Sequence, residues 1–489
     1  MSLWAKEGGR ASIPKKRFWV AGGTPEAFRN TLGYLHDQAK PESHHFCWTI
    51  RGGVPFCTES FSLLVYCPWL KWGFEGAEVR TISWKTLLPC IAIVLLAATI
   101  AYAESPVAVP ETTTAALARI RDANIHWTAF RLLELAIPLF FLFTGLGARV
   151  RRMCESISGH RRFWTVTLFV CAYLILAALI ALPFDFYAGY VQAHAAGRSD
   201  QTLPNWLKGE VVHVAVNLVV ASLLIWFSYL LMVRSPRRWW LYCALALIPV
   251  AFLALVALPV WVKPLTTTYK PLDDRPLETR IKSLAARCGV VDIPVLVGGN
   301  DTGVDGLGPT NRVILQSNLA SVESPAQIEF TIGHELKHYV MGDNWKALAI
   351  IAAFLLAGFW LTDRLGRAAI RRFSPRWGFN ELSDPASFPL IVFLLTFLWL
   401  AILPFFNMFA RHIELEADRF GLELTHQNHA AAMIFVRDAE TSLAPDWGTY
   451  FLIFQGTHPS IRVRIEFANS YKPWEQGAPL VYGSVCKSE

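Results

Sequence analysis

The residues best able to do chemistry are His334, Glu335 and His338, which form an HExxH pattern. On a helix, histidines four positions apart project from one face, so both imidazoles can reach one zinc ion. Glu335 lies beside that face, where it can hold and deprotonate a zinc-bound water. Two histidines leave the metal short of a third protein ligand. Glu414-Leu415-Glu416-Ala417-Asp418 is the best source of one. Glu414 leads, with Glu416 and His412 as rivals. Asp418, one turn beyond Glu414, could orient a ligand histidine through its free ring nitrogen.

Glu414 is distant from His338 in the chain, so something must bring it back. Seven apolar stretches are long enough, or nearly so, to cross a hydrocarbon core of about 30 Å. They lie near 85–103, 129–148, 163–183, 212–233, 239–262, 346–362 and 387–410. The sixth is short and is expected to extend a helix that begins well before it. The last two make a hairpin that leaves and re-enters the same side, which returns Glu414 to the face holding the histidines. Between the fifth and sixth, Leu277, Ile281, Leu284, Ala285 and Cys288 share one helical face, and Gly289 can cap it. Short strands follow at 294–297 and 312–315, separated by a glycine-rich stretch. Ser324-Pro325-Ala326-Gln327 then starts the zinc helix: a serine cap, proline at the first position and a glutamine to close a capping box.

The expected organisation is an N-terminal extension at 1–80, spans at 81–262, a zinc subdomain at 263–345, a transmembrane hairpin at 346–410 and a C-terminal catalytic part at 411–489. The fold class is a mainly α-helical multi-pass membrane protein with a small α+β catalytic subdomain. Composition agrees, since 53% of the residues are apolar and only 17% charged, too little charge for an ordinary soluble surface. The net charge of +7 is not a nucleic-acid stripe. Its arginines fall in loops: Arg149, Arg151, Arg152, Arg161 and Arg162; Arg234, Arg237 and Arg238; Arg364, Arg367, Arg371, Arg372 and Arg376. These three loops can be cytoplasmic together, which puts 263–345 and 411–489 outside. The expected setting is a bacterial inner membrane with the zinc site on the periplasmic side. The run ending Ala101-Tyr102-Ala103 reads either as an uncleaved anchor or as a signal peptide. With no Met between Met1 and Met153, residues 1–80 read as a poorly ordered extension or as sequence upstream of the natural start. Nine cysteines without a CxxC pair suggest no disulfide framework and no cysteine metal site.

HELKH followed by ELEAD resembles the HExxH…ExxAD pair of the M48 peptidases, a family that includes membrane CAAX prenyl proteases and bacterial heat-shock proteases. The segment Gly306-Leu307-Gly308-Pro309-Thr310-Asn311-Arg312-Val313-Ile314-Leu315 is similar to the family's segment before the zinc helix. His458-Pro459-Ser460 with Arg464-Ile465 is similar to its C-terminal element. The likeness in order and spacing covers roughly 263–470. It implies a gluzincin subdomain with one Zn²⁺, Glu414 as third ligand and Asp418 as an acid behind a histidine. It also implies His458 near the substrate carbonyl and Arg464 bracing the site. Asp301-Thr302 departs from the Asn-Ala that many relatives carry at the substrate-facing strand.

The leading expectation is a zinc-dependent endopeptidase acting on misfolded or surplus membrane and envelope proteins. A CAAX prenyl protease-type activity is an alternative, as is a non-catalytic scaffold with a structural zinc, although a structural site has no need of Glu335. A transporter is disfavoured by the scarcity of charge in the spans. The expected partners are a peptide or protein substrate and the lipid bilayer, with no nucleic acid and oligomeric state left open. Peptide is expected to dock as an added strand along Asp301, Thr302, Gly303, Val304 and Asp305, with Asp301 and Asp305 disfavouring acidic peptides.

Overall fold

The computed structural model describes residues 105–195, 199–306, 310–442 and 444–487. The expected extension at 1–80 and the apolar stretch at 85–103, with its signal-peptide reading, lie outside the described residues, as do Leu307, Gly308 and Pro309.

Among the described residues, six helices are long and apolar enough to cross a membrane. The first, α1 (Thr114–Phe143), starts earlier than the apolar pattern and stops sooner. Gly145 sits in the left-handed region at φ 70° and turns the chain into α2 (Leu146–Ile157), which carries three of the arginines. A residue with a Cβ would be strained in that conformation. Then come α3 (Arg162–Asp185), which runs on through a π-helical stretch at Phe186–Gln192, and α4 (Leu203–Arg234). The next, α5 (Trp239–Phe252), also widens into a π-helix at Leu253–Val262.

The chain then leaves the spans for the small subdomain. After β1 (Lys270–Pro271), α6 (Arg275–Arg287) buries Leu277, Ile281, Leu284 and Ala285, as its periodicity predicts. Strands β2 (Val295–Val297), β3 (Gly303–Asp305) and β4 (Arg312–Leu315) complete a sheet of order β1-β2-β4-β3. β2 and β4 are parallel and β3 is antiparallel to β4, so β3 is an edge strand. The zinc helix α7 (Pro325–Val340) opens with the expected capping box between Ser324 and Gln327. Its inner face joins Ile328, Ile332 and Leu336 to Val295, Val304, Val313 and Leu315 in one core.

The sixth span differs from its expectation. It does not extend the zinc helix. Gly342, at φ 64°, breaks the chain after α7, and a separate helix α8 (Asp343–Trp377) runs well past the expected end. The seventh span is continuous with the ligand segment as α9 (Phe388–Thr425). Three shorter helices finish the chain: α10 (Asn428–Ser442), α11 (Gly448–Phe454) and α12 (Ile461–Ser470).

The arginine loops meet at one end of the bundle. Arg151 pairs with Asp384, Arg162 donates to the Ser383 carbonyl at 2.7 Å, and Arg367 reaches the Pro236 carbonyl and pairs with Asp363 at 2.8 Å. The bundle's main core lies there, around Phe141, Tyr173, Tyr229, Trp239, Trp377 and Phe388. From Phe388 to Glu414 α9 climbs about 39 Å at 1.5 Å per residue. That exceeds a hydrocarbon core of about 30 Å, so the metal-ligand candidates lie at the opposite end from the arginines.

One expectation fails outright. Cys288, at the end of α6, forms a disulfide with Cys486 across a separation of 198 residues. The spacing gave no hint, because the bond joins the sheet side of the subdomain to the C-terminal tail. Cys154, Cys171 and Cys243 are free. A cross-link over so long a loop should contribute about 2–5 kcal/mol. The Cys288→Ser, Cys486→Ser double variant should therefore melt at a lower temperature than the oxidised protein and no differently from the reduced one. An unchanged melting curve would show that the tail is held by its other contacts alone.

Candidate active site

The site is assembled where α7 and α9 cross. Gly333 and Gly421 make the crossing close: a Cβ built on Gly333 would lie 3.1 Å from the Gly421 Cα, and one on Gly421 would lie 3.1 Å from the His334 amide nitrogen. With the backbones this near, Glu414 and Asp418 on α9 face His334 and His338 on α7. The two Nε2 atoms are 3.3 Å apart. Glu414 lies 3.4 Å from His334 Nε2 through Oε2 and 3.8 Å from His338 Nε2 through Oε1. Glu414 Oε2 is buried without a hydrogen bond. These three residues form the one group among the described residues that could hold a metal ion. Donors about 2.0–2.2 Å from a tetrahedral ion stand roughly 3.3–3.6 Å from one another; the two contacts of His334 fall in that range, and the His338–Glu414 separation of 3.8 Å is slightly longer.

Each imidazole is fixed from behind. His334 Nδ1 is 2.9 Å from Asp418 Oδ1, and His338 Nδ1 is 2.9 Å from Asp343 Oδ2. A carboxylate on Nδ1 accepts its proton and leaves Nε2 as the free donor toward a metal. Asp418 is itself gripped by Arg464, whose Nε and Nη2 donate to both its oxygens at 2.7 and 2.6 Å and whose guanidinium lies over the Phe435 ring. Burial works against a charged His334, but the Asp418 and Glu414 carboxylates outweigh it and hold the ring's pKa up at about 9. Burial pushes the Glu335 carboxyl above its ordinary range, partly opposed by the two histidines. A carboxylate tuned upward is the better proton acceptor.

The remaining sequence candidates fall into three groups. His458 stands at the rim, mostly exposed, with Nε2 3.2 Å from Glu414 Oε2. Glu416, a rival ligand, is instead engaged by the Tyr482 hydroxyl at 2.6 Å and by Arg419. The edge strand passes close to the base, since a Cβ on Gly303 would lie 3.5 Å from Glu335 Oε2. Thr302 Oγ1 accepts from the Gln316 amide at 3.1 Å, and Val304 is buried. The edge is less negative than its sequence suggests. Asp301 pairs with Lys263 at 2.5 Å, and burial raises the Asp305 carboxyl against the pull of Lys263 and Arg312.

Comparison with known proteins follows the same division of the chain. Residues 271–472 match the model for peptidase family M48, and 110–268 match that for the CAAX prenyl protease N-terminal region of five membrane helices. A Bacillus subtilis protein named as an uncharacterized metalloprotease, YhfN, is 30% identical over 71% of this chain and 84% of its own. The chain belongs to peptidase family M48. It is a multi-pass membrane metallopeptidase. A Dictyostelium discoideum CAAX prenyl protease 1 homolog is 23% identical over 62% of this chain and 73% of its own. The crystal structure of Saccharomyces mikatae Ste24p shares the fold, with a TM-score of 0.59 at 19% identity over 80% of this chain and all of that one.

Three residues of this M48 site were not legible as site residues in the sequence. Asp343 follows the break at Gly342, which turns the start of α8 back toward His338. Lys337, inside HELKH, is almost wholly buried and donates to Asp343 Oδ2 at 2.7 Å and to the Ile413 carbonyl at 2.9 Å. Arg411, one turn before Glu414, donates to the carbonyls of Leu452 and, at 2.7 Å, Gly456, so it holds the turn that leads to His458. The only advance signal was an acid shortly after the motif. Asp343→Asn should weaken metal binding about 10–100-fold, as loss of such an orienting carboxylate does. Competition with a chelator measures this. Unchanged affinity would mean that Asp343 serves only to anchor Lys337.

Proposed function

We propose that this chain is an endopeptidase that holds one Zn²⁺ on His334, His338 and Glu414 and hydrolyses peptide bonds of membrane or envelope proteins in quality control. The observation that carries the reading is the convergence of those three donors beside Glu335. A purely structural site would satisfy the metal with four protein ligands; this one offers three and an adjacent base. Zinc, when bound there, supplies a Lewis acid that acidifies water and polarises a carbonyl. Glu335 takes the proton of the attacking water and passes it to the leaving amine. Its raised pKa suits both transfers. His458, at the rim, donates to the developing oxyanion. Arg464 and Asp418 keep the His334 ring from rotating. The substrate backbone pairs with the free edge of β3, which runs past Glu335 and gives affinity with little sequence preference.

Two independent features support a catalytic face outside the cytoplasm. The arginine loops gather at the opposite end, as cytoplasmic loops do. The Cys288–Cys486 disulfide lies in the catalytic part, and such bonds persist in oxidising compartments. In a bacterium this is the periplasmic side of the inner membrane. The relatives named as CAAX prenyl proteases favour a second reading, cleavage near a prenylated C-terminus. That reading needs a cytosolic substrate at the site and so stands or falls with the orientation.

Glu335→Gln keeps shape and metal but removes the base. Casein hydrolysis by purified protein should fall by about 10²–10⁴-fold with zinc content unchanged; near-normal turnover would overturn the mechanism. For orientation, a reporter active only in the periplasm, fused after the last residue, should work. A cytoplasm-only reporter in the same place should be silent. The reverse result would reinstate the prenyl-protease reading.

A further inference from the structure

The end of the bundle opposite the metal ligands carries more positive charge than its own carboxylates neutralise. Arg151 takes both Asp384 and Glu155, Arg367 takes Asp363, and Glu381 accepts from the Ser383 hydroxyl. Arg149, Arg372 and Arg376 are exposed and form no ion pair among the described residues. They gather at one corner. Arg149 donates through Nη2 to the Thr144 carbonyl, just past the end of α1, at 2.7 Å. The Arg376 guanidinium lies over the Phe143 ring, 5.1 Å from its centroid. One turn back on α8, Arg372 lies 5.5 Å from the centroid of Phe373, and that ring meets Phe143 edge to face at 6.1 Å. Gly378 lets the two elements close up: it ends α8 at φ 73°, and a Cβ on it would lie 3.0 Å from the Ala148 side chain of α2.

Basic loops by themselves only orient a membrane protein. Here the charge adjoins an apolar surface. Phe140 and Phe143 are three residues apart, so they share one face of a spanning helix, and they stand 55% and 39% exposed. Phe143 is the last residue of α1. The two rings therefore mark where the apolar face of the span stops, and the guanidinium groups stand just beyond it. Amphipathic side chains are favoured at that level, with apolar parts toward the acyl chains and charged heads toward water. A soluble polyanion would engage the arginines and have no use for the rings.

We infer that this corner, made by the ends of α1 and α8 and the start of α2, binds the headgroup of an anionic phospholipid of the adjoining leaflet. Phe140 and Phe143 lie along the upper part of an acyl chain, Arg149 and Arg376 donate to the phosphate oxygens, and Arg372 adds to the positive field. A guanidinium presents its donors as a planar fork that matches two phosphate oxygens, and contact with an aromatic face or a backbone carbonyl fixes the plane of that fork. A phosphatidylcholine headgroup brings its own cation next to the phosphate, which three arginines repel. Phosphatidylglycerol brings none, so the corner selects by net charge. The lipid joins α1, α2 and α8 where the main core of the bundle is buried, and so stabilises the end that anchors the spans.

The test uses the purified full-length protein in detergent, titrated with phosphatidylglycerol or with phosphatidylcholine of the same chain length, and native mass spectrometry to count the lipid retained. Phosphatidylglycerol should bind about tenfold more tightly than phosphatidylcholine, and the Arg149→Gln, Arg376→Gln double variant should lose about tenfold or more of that affinity. Arg237→Gln with Arg238→Gln removes the same charge from the loop between α4 and α5 and should leave the affinity unchanged. Because a ligand of the folded state stabilises it, phosphatidylglycerol should raise the melting temperature of the wild type and of the Arg237, Arg238 variant, but not of the Arg149, Arg376 variant. If the latter does not fold, the single Arg376→Gln variant carries the same comparison with a loss of about fivefold. Equal losses in the two double variants would show a diffuse effect of charge and overturn the site, as would equal affinity for the two lipids. Competition by free glycerol phosphate at the concentration of the lipid would make the ligand a soluble anion and overturn the lipid assignment.

Discussion

The close crossing of α7 and α9 is the constraint on which the site depends. Two histidines on one helix make half a metal centre; the other half must arrive on a second helix at a separation set by bond lengths. Helix pairs normally pack with axes 8–10 Å apart, and a short carboxylate such as Asp418 cannot then reach past the first row of side chains. Gly333 and Gly421 remove that row. A methyl group on either would press on backbone of the other helix as well as on Thr425 or Phe330, so the helices would have to give by about 0.3 Å. The same crossing buries Asp418 and the Arg464 contacts behind His334, which ties the geometry of the metal ligands to packing rather than to their own hydrogen bonds.

Charge is arranged in matched layers around that crossing. Glu414, Asp418 and Asp343 bring three carboxylates to two imidazoles, and burial alone would penalise every one. Arg464 compensates Asp418 from α12, while Lys337 compensates Asp343 from within the zinc helix. Lys337 also fastens α7 to the Ile413 carbonyl of α9, beside Glu414. A buried ion pair is weak evidence for stability but good evidence for a fixed geometry, because removing either partner leaves an uncompensated charge. Here that rigidity holds imidazole rings against rotation, and Glu335, which has no cationic side chain of this kind, is left with a carboxyl shifted toward proton exchange.

What the sequence could show was whatever is local or strictly periodic. The HExxH spacing, the cap at Ser324, the apolar face of α6 and the apolar spans all follow from contacts within a few residues. The return of Glu414 needed one further step, the parity of membrane crossings, and that too is a counting argument. The misses are of another kind. Asp343 becomes a partner of His338 because Gly342 adopts a left-handed conformation that breaks the chain between α7 and α8, and no pattern of residue types encodes the resulting direction. The Cys288–Cys486 bond joins segments brought together by the fold of the whole subdomain. Glu423 shows the same dependence: buried on α9, it accepts from the amides of Val481 and Tyr482 and from the Tyr471 hydroxyl, so the tail is anchored by a residue that sequence reads as another acid on a helix.

The membrane part supplies something a soluble scaffold would not, a fixed height. α9 is one continuous helix from the arginine end to the ligand segment, so the site stands at a set distance from the opposite surface, and its partner α8 begins at Asp343, directly behind His338. Burial in the spans is concentrated at the arginine end, where Phe141, Tyr173, Tyr229, Trp239 and Trp377 pack together. Toward the catalytic end the helices share few buried side chains, and two of them, α3 and α5, widen into π turns. The buried anchor is therefore at the arginine end, while the wider end of α5 lies against the β3 edge. Arg312 donates to the carbonyls of Pro259 and Val260, which ties the end of the fifth span to the sheet that carries the β3 edge.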